Sequence, residues 1–298
     1  MLFGHVLSRE AVNRVTRAAQ SPMDTWRTQP ITDTPPILLV DGGWGQVLQP
    51  TGALWLDQSG HERREMRGVD QVILTGMGGW PDGRHQLIHY QLAAAEDSAA
   101  WSDLLATLIG RGLHVATVQM VVSAGSTGLP AALATQLPDA KQQRCVVHTI
   151  RGLERAFCYR DLTLIDPLTQ EPLTVEAARR LRRQQLSTDA HAIFEAPTRA
   201  EANARLAVCR TTWGGLEAEV VRRLTKDMDA CLTFYQFAHP LHRLIRSTNL
   251  LERFFREFRT KSDEIGALPN DLSCLVVFHL IVIRADAKHD RGPTAKTG

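Results

Sequence analysis

The sequence predicts an α/β protein: a mixed sheet flanked by helices, with a mostly helical segment inserted before the C-terminal helices that complete the core. Three observations lead there. Short apolar runs bounded by Gly, Pro and Asp recur between residues 36 and 148. Segments with apolar residues three and four apart lie between the later runs. After residue 160 the chain turns helical, Arg-rich and poor in strand signals. With 298 residues, 44% hydrophobic and 22% charged, the chain has enough apolar material for one large or two medium domains, which excludes disordered, collagen-like and coiled-coil classes.

Residues 8–20 start with Ser8 ahead of Glu10, Ala11 and Val12 and read as one short helix. The proline-punctuated SPMDTWRTQPITDTPP after it reads as a linker. From Pro36, ILLVDGG is a short strand stopped by glycines, and QVILTGMGGWPDGRHQLIHYQLA is a hairpin with a Gly-, Pro- and Asp-rich turn. SAAWSDLLATLIGRG places Trp101, Leu104, Leu105 and Leu108 at helical spacing, with Gly112 as its stop. Then come a strand in LHVATVQMVVS, a helix from Thr127 to Gln136 and a short strand in QRCVVH. Three strands, a helix, a strand, a helix and a strand is the order of the ribonuclease-H-like fold.

EAARRLRRQQL, RAEANARLAVCRTTWGGLEAEVVRRL and MDACLTFYQFA then predict a helical insertion. STNLLERFFREFRTK is a strongly periodic helix, and LSCLVVFHLIVIRA a buried one. The expected organisation is a helix with its linker over 1–35, the core over 36–160, the insertion over 161–240, core-completing helices over 241–288 and a disordered tail over 289–298. Five cysteines, odd in number and without a CxxC pair, point to a reducing compartment. No leader-like h-region and no apolar run of 18 residues is present, so a cytoplasmic protein without a membrane span is expected.

The formal charge of +2 gives no global sign of a polyanionic partner, so charge must be read locally. Lys141, Arg144, Arg151, Arg155 and Arg160 stand against Glu154 alone, and Arg243, Arg246, Arg253, Arg256, Arg259 and Lys261 against Glu252 and Glu257. Each stretch is a local +4, either a solvated face or a contact for phosphates. Arg179, Arg180, Arg182 and Arg183 read most simply as a solvated helix face. Phosphate-loop and dinucleotide signatures are absent, because the glycines of TGMGGWPDG fall between two strands and read as turn residues.

Asp41 ends the apolar run ILLV before Gly42 and Gly43, which reads either as an open carboxylate suited to a hard cation or as a turn-forming Asp. Cys145 and His148 form a single CxxH, half of a zinc site, so a buried Cys with a hydrogen-bonded His is the simpler expectation. Leu250, Leu251, Phe254, Phe255 and Phe258 make an apolar stripe, while Glu252, Arg256 and Arg259 share another face. Glu252 follows Asn249 by three, the form of a capping box, and beside arginines it could equally meet a metal and phosphates.

Taken together, LLVDGG, EDSAAWSDLLATLIGRGL, VVSAGSTGL, LPDAKQQRCVVHTIRGL and IRSTNLLERFFREFRTKSDEIGALPNDLSC resemble the Mutator-type family of bacterial insertion-sequence transposases, over most of the chain and in the same order. The resemblance implies a ribonuclease-H-like domain in which two Asp and one Glu hold Mg2+ and join and cut DNA phosphodiesters. Asp41 corresponds to the first Asp and Glu252, in STNLLER, to the Glu. Cys145 and His148 match the family's CxxH near the site. Where the family has Ser-Asp-Gly around the second Asp, this sequence has Ser123, Ala124 and Gly125.

Alanine cannot ligate a cation. Metal charge stabilisation is worth several kcal/mol, and about 1.4 kcal/mol is tenfold in rate, so a loss of about a thousandfold or more is expected. The resemblance further implies that Arg144, Arg151, Arg253, Arg256 and Arg259 contact DNA and that the protein forms a homo-oligomer. The region preceding LLVDGG is shorter than is usual for the family, which implies that residues 1–35 are a remnant of an N-terminal helical DNA-binding region with its linker and that recognition of element ends is impaired. The expected activity is therefore that of an impaired transposase. The alternatives are a non-catalytic DNA-binding or oligomerisation module, a decaying copy without function and, lacking any nucleophile-elbow motif, an unrelated hydrolase last.

Overall fold

The computed structural model describes the backbone of residues 9–289 and the side chains of 14–286. The first helix, α1 (Arg9–Thr28), overruns both the predicted end at residue 20 and the predicted linker, continuing through Pro22. An interior proline costs about 3 kcal/mol, but the second half of the helix is anchored. Met23 is fully buried, and Trp26 stacks on Tyr90 at 5.4 Å.

Five strands form one mixed sheet in the order β3-β2-β1-β4-β5: β1 (Ile37–Leu56), β2 (Glu62–Gly79), β3 (His85–Ala93), β4 (Met120–Ser123) and β5 (Lys141–Arg144). The first three form an antiparallel meander. The order of elements is the ribonuclease-H-like one expected from the sequence. The glycines do not stop the strands as predicted. β1 runs through Gly42 and Gly43 to Leu56, and Gly76, Gly78 and Gly79 lie inside β2, leaving Gly83 as the turn glycine with φ +87°.

Beyond the sheet, β1 and β2 continue as a two-stranded ribbon whose turn is held by Asp57, which accepts from the N–H groups of Ser59 and His61. LHVATVQMVVS is a strand only at β4, because a 3-10 turn occupies Val115–Thr117. QRCVVH leaves the strand after Arg144 and enters α4 (Val146–Leu153), so Cys145 caps a helix.

The chain divides into two compact units. The sheet unit comprises the described residues up to 121, residues 126–140 and those from 248 onward. One face of its sheet carries Leu38, Val40, Val72 and Leu74 against Trp101, Leu104, Leu105 and Leu108 of α2 (Ser98–Gly110) and Leu129 and Leu133 of α3 (Leu129–Gln136). A second group of buried side chains comes from α10 (Asn249–Ile265) and α11 (Asp271–His289), with Phe255 and Phe258 both within 6 Å of the Phe278 ring. The tail expected to be disordered, 289–298, lies outside the described residues apart from the histidine that ends α11.

The helical unit comprises residues 122–125 and 141–247. It contains α4, α5 (Val175–Phe194), α6 (Arg199–Trp213), α7 (Ala218–Lys226), α8 (Met228–Cys231) and α9 (His242–Ile245). Its interior includes a charged pair. Glu217 is fully buried and accepts from the backbone N–H groups of Cys158 at 2.8 Å and Tyr159 at 3.0 Å. The Arg182 guanidinium lies 3.4 Å from the same carboxylate, and Arg182 is 7% exposed, so the arginines of α5 are not all on a solvated face as predicted. Among the described residues no helix is long and apolar enough to cross a membrane.

Candidate active site and nucleic-acid interface

Asp41 sits within β1, not at its end, opposite Thr75 of β2. It is 7% exposed, so the open carboxylate expected from the sequence is a buried one. One carboxylate oxygen accepts the Gly42 N–H at 2.9 Å, and the Thr75 hydroxyl donates to the Asp41 main-chain oxygen at 3.0 Å. Side chains alternate along a strand, so Leu39, Asp41, Gly43 and Gly45 share one face.

The missing side chains at Gly43 and Gly45 admit α10. A Cβ on Gly43 would stand 2.0 Å from Cδ1 of Phe255, and one on Gly45 would stand 2.7 Å from Cε1 of Phe258. Helix and strand therefore advance in the same direction along their contact. Glu252 is one helical turn before Phe255, and Asp41 is two residues before Gly43, so the two acids head this contact from the same end. Glu252 is half-buried. α10 starts at Asn249 with Thr248 in the cap position, so Asn249 is not the capping residue that the predicted box required.

A third carboxylate approaches β1 that sequence reasoning missed. A Cβ on Gly42 would lie 2.6 Å from Oε1 of Glu96, in the segment between β3 and α2. No periodicity marks Glu96 in the sequence; only the bare strand at Gly42 gives it room. Gly42 faces the α2 side of the sheet and Asp41 the α10 side, so the two acids flank one strand.

The helical unit gathers Ala124, Arg144, Cys145 and His148. Ala124 follows β4 directly, and the Ser123 carbonyl before it accepts from the Cys145 N–H at 2.7 Å. Gly125 after it has φ +100°, and a Cβ there would stand 2.7 Å from Cζ of Arg144. The Arg144 guanidinium is held at 3.0 Å from Asp227, so this predicted DNA contact is already engaged with an acid. Cys145 is buried and its Sγ lies 3.2 Å from Nδ1 of His148. The Cys231 thiol, bonded to the Thr149 hydroxyl, is pushed up to about 11 by burial.

Of the other predicted DNA contacts, Arg151 is exposed on α4, and Arg253, Arg256 and Arg259 are exposed on α10. The Arg253 guanidinium lies over the Phe254 ring at 5.6 Å. Leu251, Phe254, Phe255 and Phe258 are buried, as the apolar stripe predicted, while Leu250 is only half-buried. Among the described residues no three His, Cys, Asp or Glu side chains are grouped to hold a metal ion.

The family model for transposases of the Mutator family matches residues 1–168 and 173–291. The chain belongs to the Mutator transposase family. It is 25% identical over 282 residues to the transposase for insertion sequence element ISRM5 of Rhizobium meliloti, covering 95% of this chain and 61% of that one. To the transposase for insertion sequence element IS406 of Burkholderia multivorans it is 26% identical, covering 94% and 62%. The chain thus spans about three fifths of the length of these relatives. Among solved structures, the Drosophila P element transposase strand transfer complex aligns with a TM-score of 0.43 and 12% identity, over 91% of this chain and 84% of that one.

Proposed function

We propose that this chain binds the DNA of an insertion sequence as a transposase-family protein whose cut-and-join chemistry is impaired at position 124. One observation carries the reading: the register of α10 on β1, which brings Asp41 and Glu252 to the same end of one helix–strand contact. Asp41 and Glu252 are the residues that would hold Mg2+, whose charge would stabilise phosphoryl transfer. A two-ion clamp needs carboxylates that reach both ions, and Ala124 offers only a methyl group, so the residues present do not fit the complete group.

What the chain's own residues do is bind and orient a strand. Arg253, Arg256 and Arg259 on α10 and Arg151 on α4 supply exposed guanidinium groups for backbone phosphates. A homo-oligomer acting on DNA in the cytoplasm belongs to the same reading. The test is nicking of labelled DNA in Mg2+ or Mn2+ by the native chain, Ala124→Asp and Glu252→Ala, with metal affinity measured by calorimetry. The reading expects no cleavage by the native chain, and tighter metal binding or cleavage only in Ala124→Asp. Native cleavage abolished by Glu252→Ala would overturn the impairment. Salt-sensitive DNA binding with no gain in Ala124→Asp would favour the non-catalytic module.

A further inference from the structure

The charge of the chain is unevenly divided. Residues 141–247 carry 17 Lys and Arg against 12 Asp and Glu, a net +5, in a chain whose total is +2; the remainder is therefore −3. An excess of this size can be a solvated face, so its placement decides. A cavity of about 310 Å³ in the helical unit is lined by Arg144, His148, Arg222, Arg223, Lys226 and Asp227, between α4 and α7.

The cations there outnumber the acids that hold them. Arg222 and Arg223 share one carboxylate, Glu219, at 2.6 and 2.8 Å, and these bonds hold its carboxyl down at about 2. Arg144 is fixed by Asp227 and lies against the bare Gly125, with a buried Nε that has no hydrogen-bond partner among the described residues. Lys226 is exposed on the last turn of α7.

A second cavity, of about 330 Å³, shares Leu153 as a wall with the first and is lined by Phe157, Arg180 and Arg183 among others. Beside it Phe157 stacks on Tyr159 at 5.5 Å, and the Arg179 guanidinium covers the Tyr159 ring at 5.1 Å. Cations spaced across two adjoining cavities with an aromatic stack at one end suit a polymer of phosphates and flat bases better than one small anion.

We propose that the α4–α7 cavity binds the phosphodiester backbone of a DNA strand through Arg222, Arg223 and Lys226, and that the strand continues past Leu153 toward Arg180 and Arg183. This rests on the reading of the chain as a DNA-binding protein, and it adds contacts on α7 and α5 to those on α10 and α4. An acidic peptide would meet the cations but would leave the Phe157–Tyr159 stack unused.

The test is fluorescence anisotropy of labelled duplex and single-stranded DNA bound to the full chain over a range of NaCl concentrations. The native chain is compared with a triple variant (Arg222→Ala, Arg223→Ala, Lys226→Ala) and a charge-preserving variant (Arg222→Lys, Arg223→Lys). Each lost phosphate contact lowers the slope of log K against log salt by roughly 0.9 for duplex and roughly 0.7 for single strands. The triple variant should therefore lose about 2 to 3 units of slope and at least tenfold in affinity, while the charge-preserving variant keeps the slope. Should the triple variant fail to fold, exposed Lys226→Ala alone should lower the slope by roughly 0.9 on duplex.

Native binding with an unchanged slope in these variants would overturn the cavity and leave the DNA reading standing. Absence of DNA binding by the native chain would overturn both. Inorganic phosphate that binds the native chain and is lost in the triple variant, with DNA binding unaltered, would assign the cavity to a free phosphate and overturn the strand.

Discussion

The two units manage buried charge in opposite ways. In the helical unit the fully buried Glu217 is consumed by the fold, meeting the N–H groups of Cys158 and Tyr159 and the Arg182 guanidinium. Arg182 also donates to the carbonyls of Arg160 and Asp161, so one ion pair fixes a turn in which Tyr159 and Asp161 hold positive φ of 55° and 46°. In the sheet unit the buried Asp41 lies where the chain has removed side chains, with Gly42, Gly43 and Gly45 opening room for Glu96, Phe255 and Phe258. The first acid is built in to hold the chain together; the second is built around. A buried carboxylate is therefore not by itself a sign of chemistry, and what its neighbours have given up is the better guide.

The largest expected effect breaks the helical side of this contrast. Arg182→Ala leaves Glu217 buried without its cation and should cost about 3–5 kcal/mol in chemical denaturation, whereas Arg182→Met with Glu217→Gln should lose less. A cost below about 1 kcal/mol would mean that the pair does not hold the turn.

The next effect belongs to the sheet unit and to acid. His89 is 2% exposed, and burial, with Arg111 and Arg27 nearby, pushes its imidazole down to about 4. A folded value below the ordinary one means that stability is fully present above about pH 6.5 and lost as pH falls toward 4. The loss should reach about 2 kcal/mol by pH 5, measured as the difference in unfolding free energy between pH 7 and 5, and His89→Asn should remove most of it.

The smallest effect sharpens the contrast at position 124. Ala124→Asp, at a half-buried position after β4, should change metal-free stability by no more than about 0.5 kcal/mol. Added Mg2+ should then raise the melting temperature of the variant above that of the native chain. Equal melting temperatures with and without Mg2+ in both would separate position 124 from the metal.

Much of this architecture was legible because apolar periodicity reports burial. The α2 stripe of Trp101, Leu104, Leu105 and Leu108 and the α10 stripe of Leu251, Phe254, Phe255 and Phe258 were visible as spacing, and both are buried. The outer halves of β1 and β2 were not, because residues 51–56 and 58–67 are exposed on both faces and show no alternation to read. The second half of α1 was hidden by Pro22, whose local cost is outweighed by partners as distant in sequence as Tyr90. Of the candidate site, Asp41 and Glu252 stood out by residue type and resemblance, while Glu96, like the Arg182–Glu217 pair elsewhere in the fold, depends on contacts between distant segments that no local pattern encodes.

The fit of Phe255 and Phe258 into Gly43 and Gly45 has a consequence for how damage to such a protein would be noticed. The groove that carries α10 is made of glycine and phenylalanine, and neither takes part in phosphoryl transfer. On the proposed reading, a substitution at position 124 that costs no more than about 0.5 kcal/mol passes assays of expression, cation-free thermal stability or protease resistance, so variants sorted by foldedness alone would keep both kinds of chain, active and inactive. Only a readout that involves a cation or a DNA end can tell them apart.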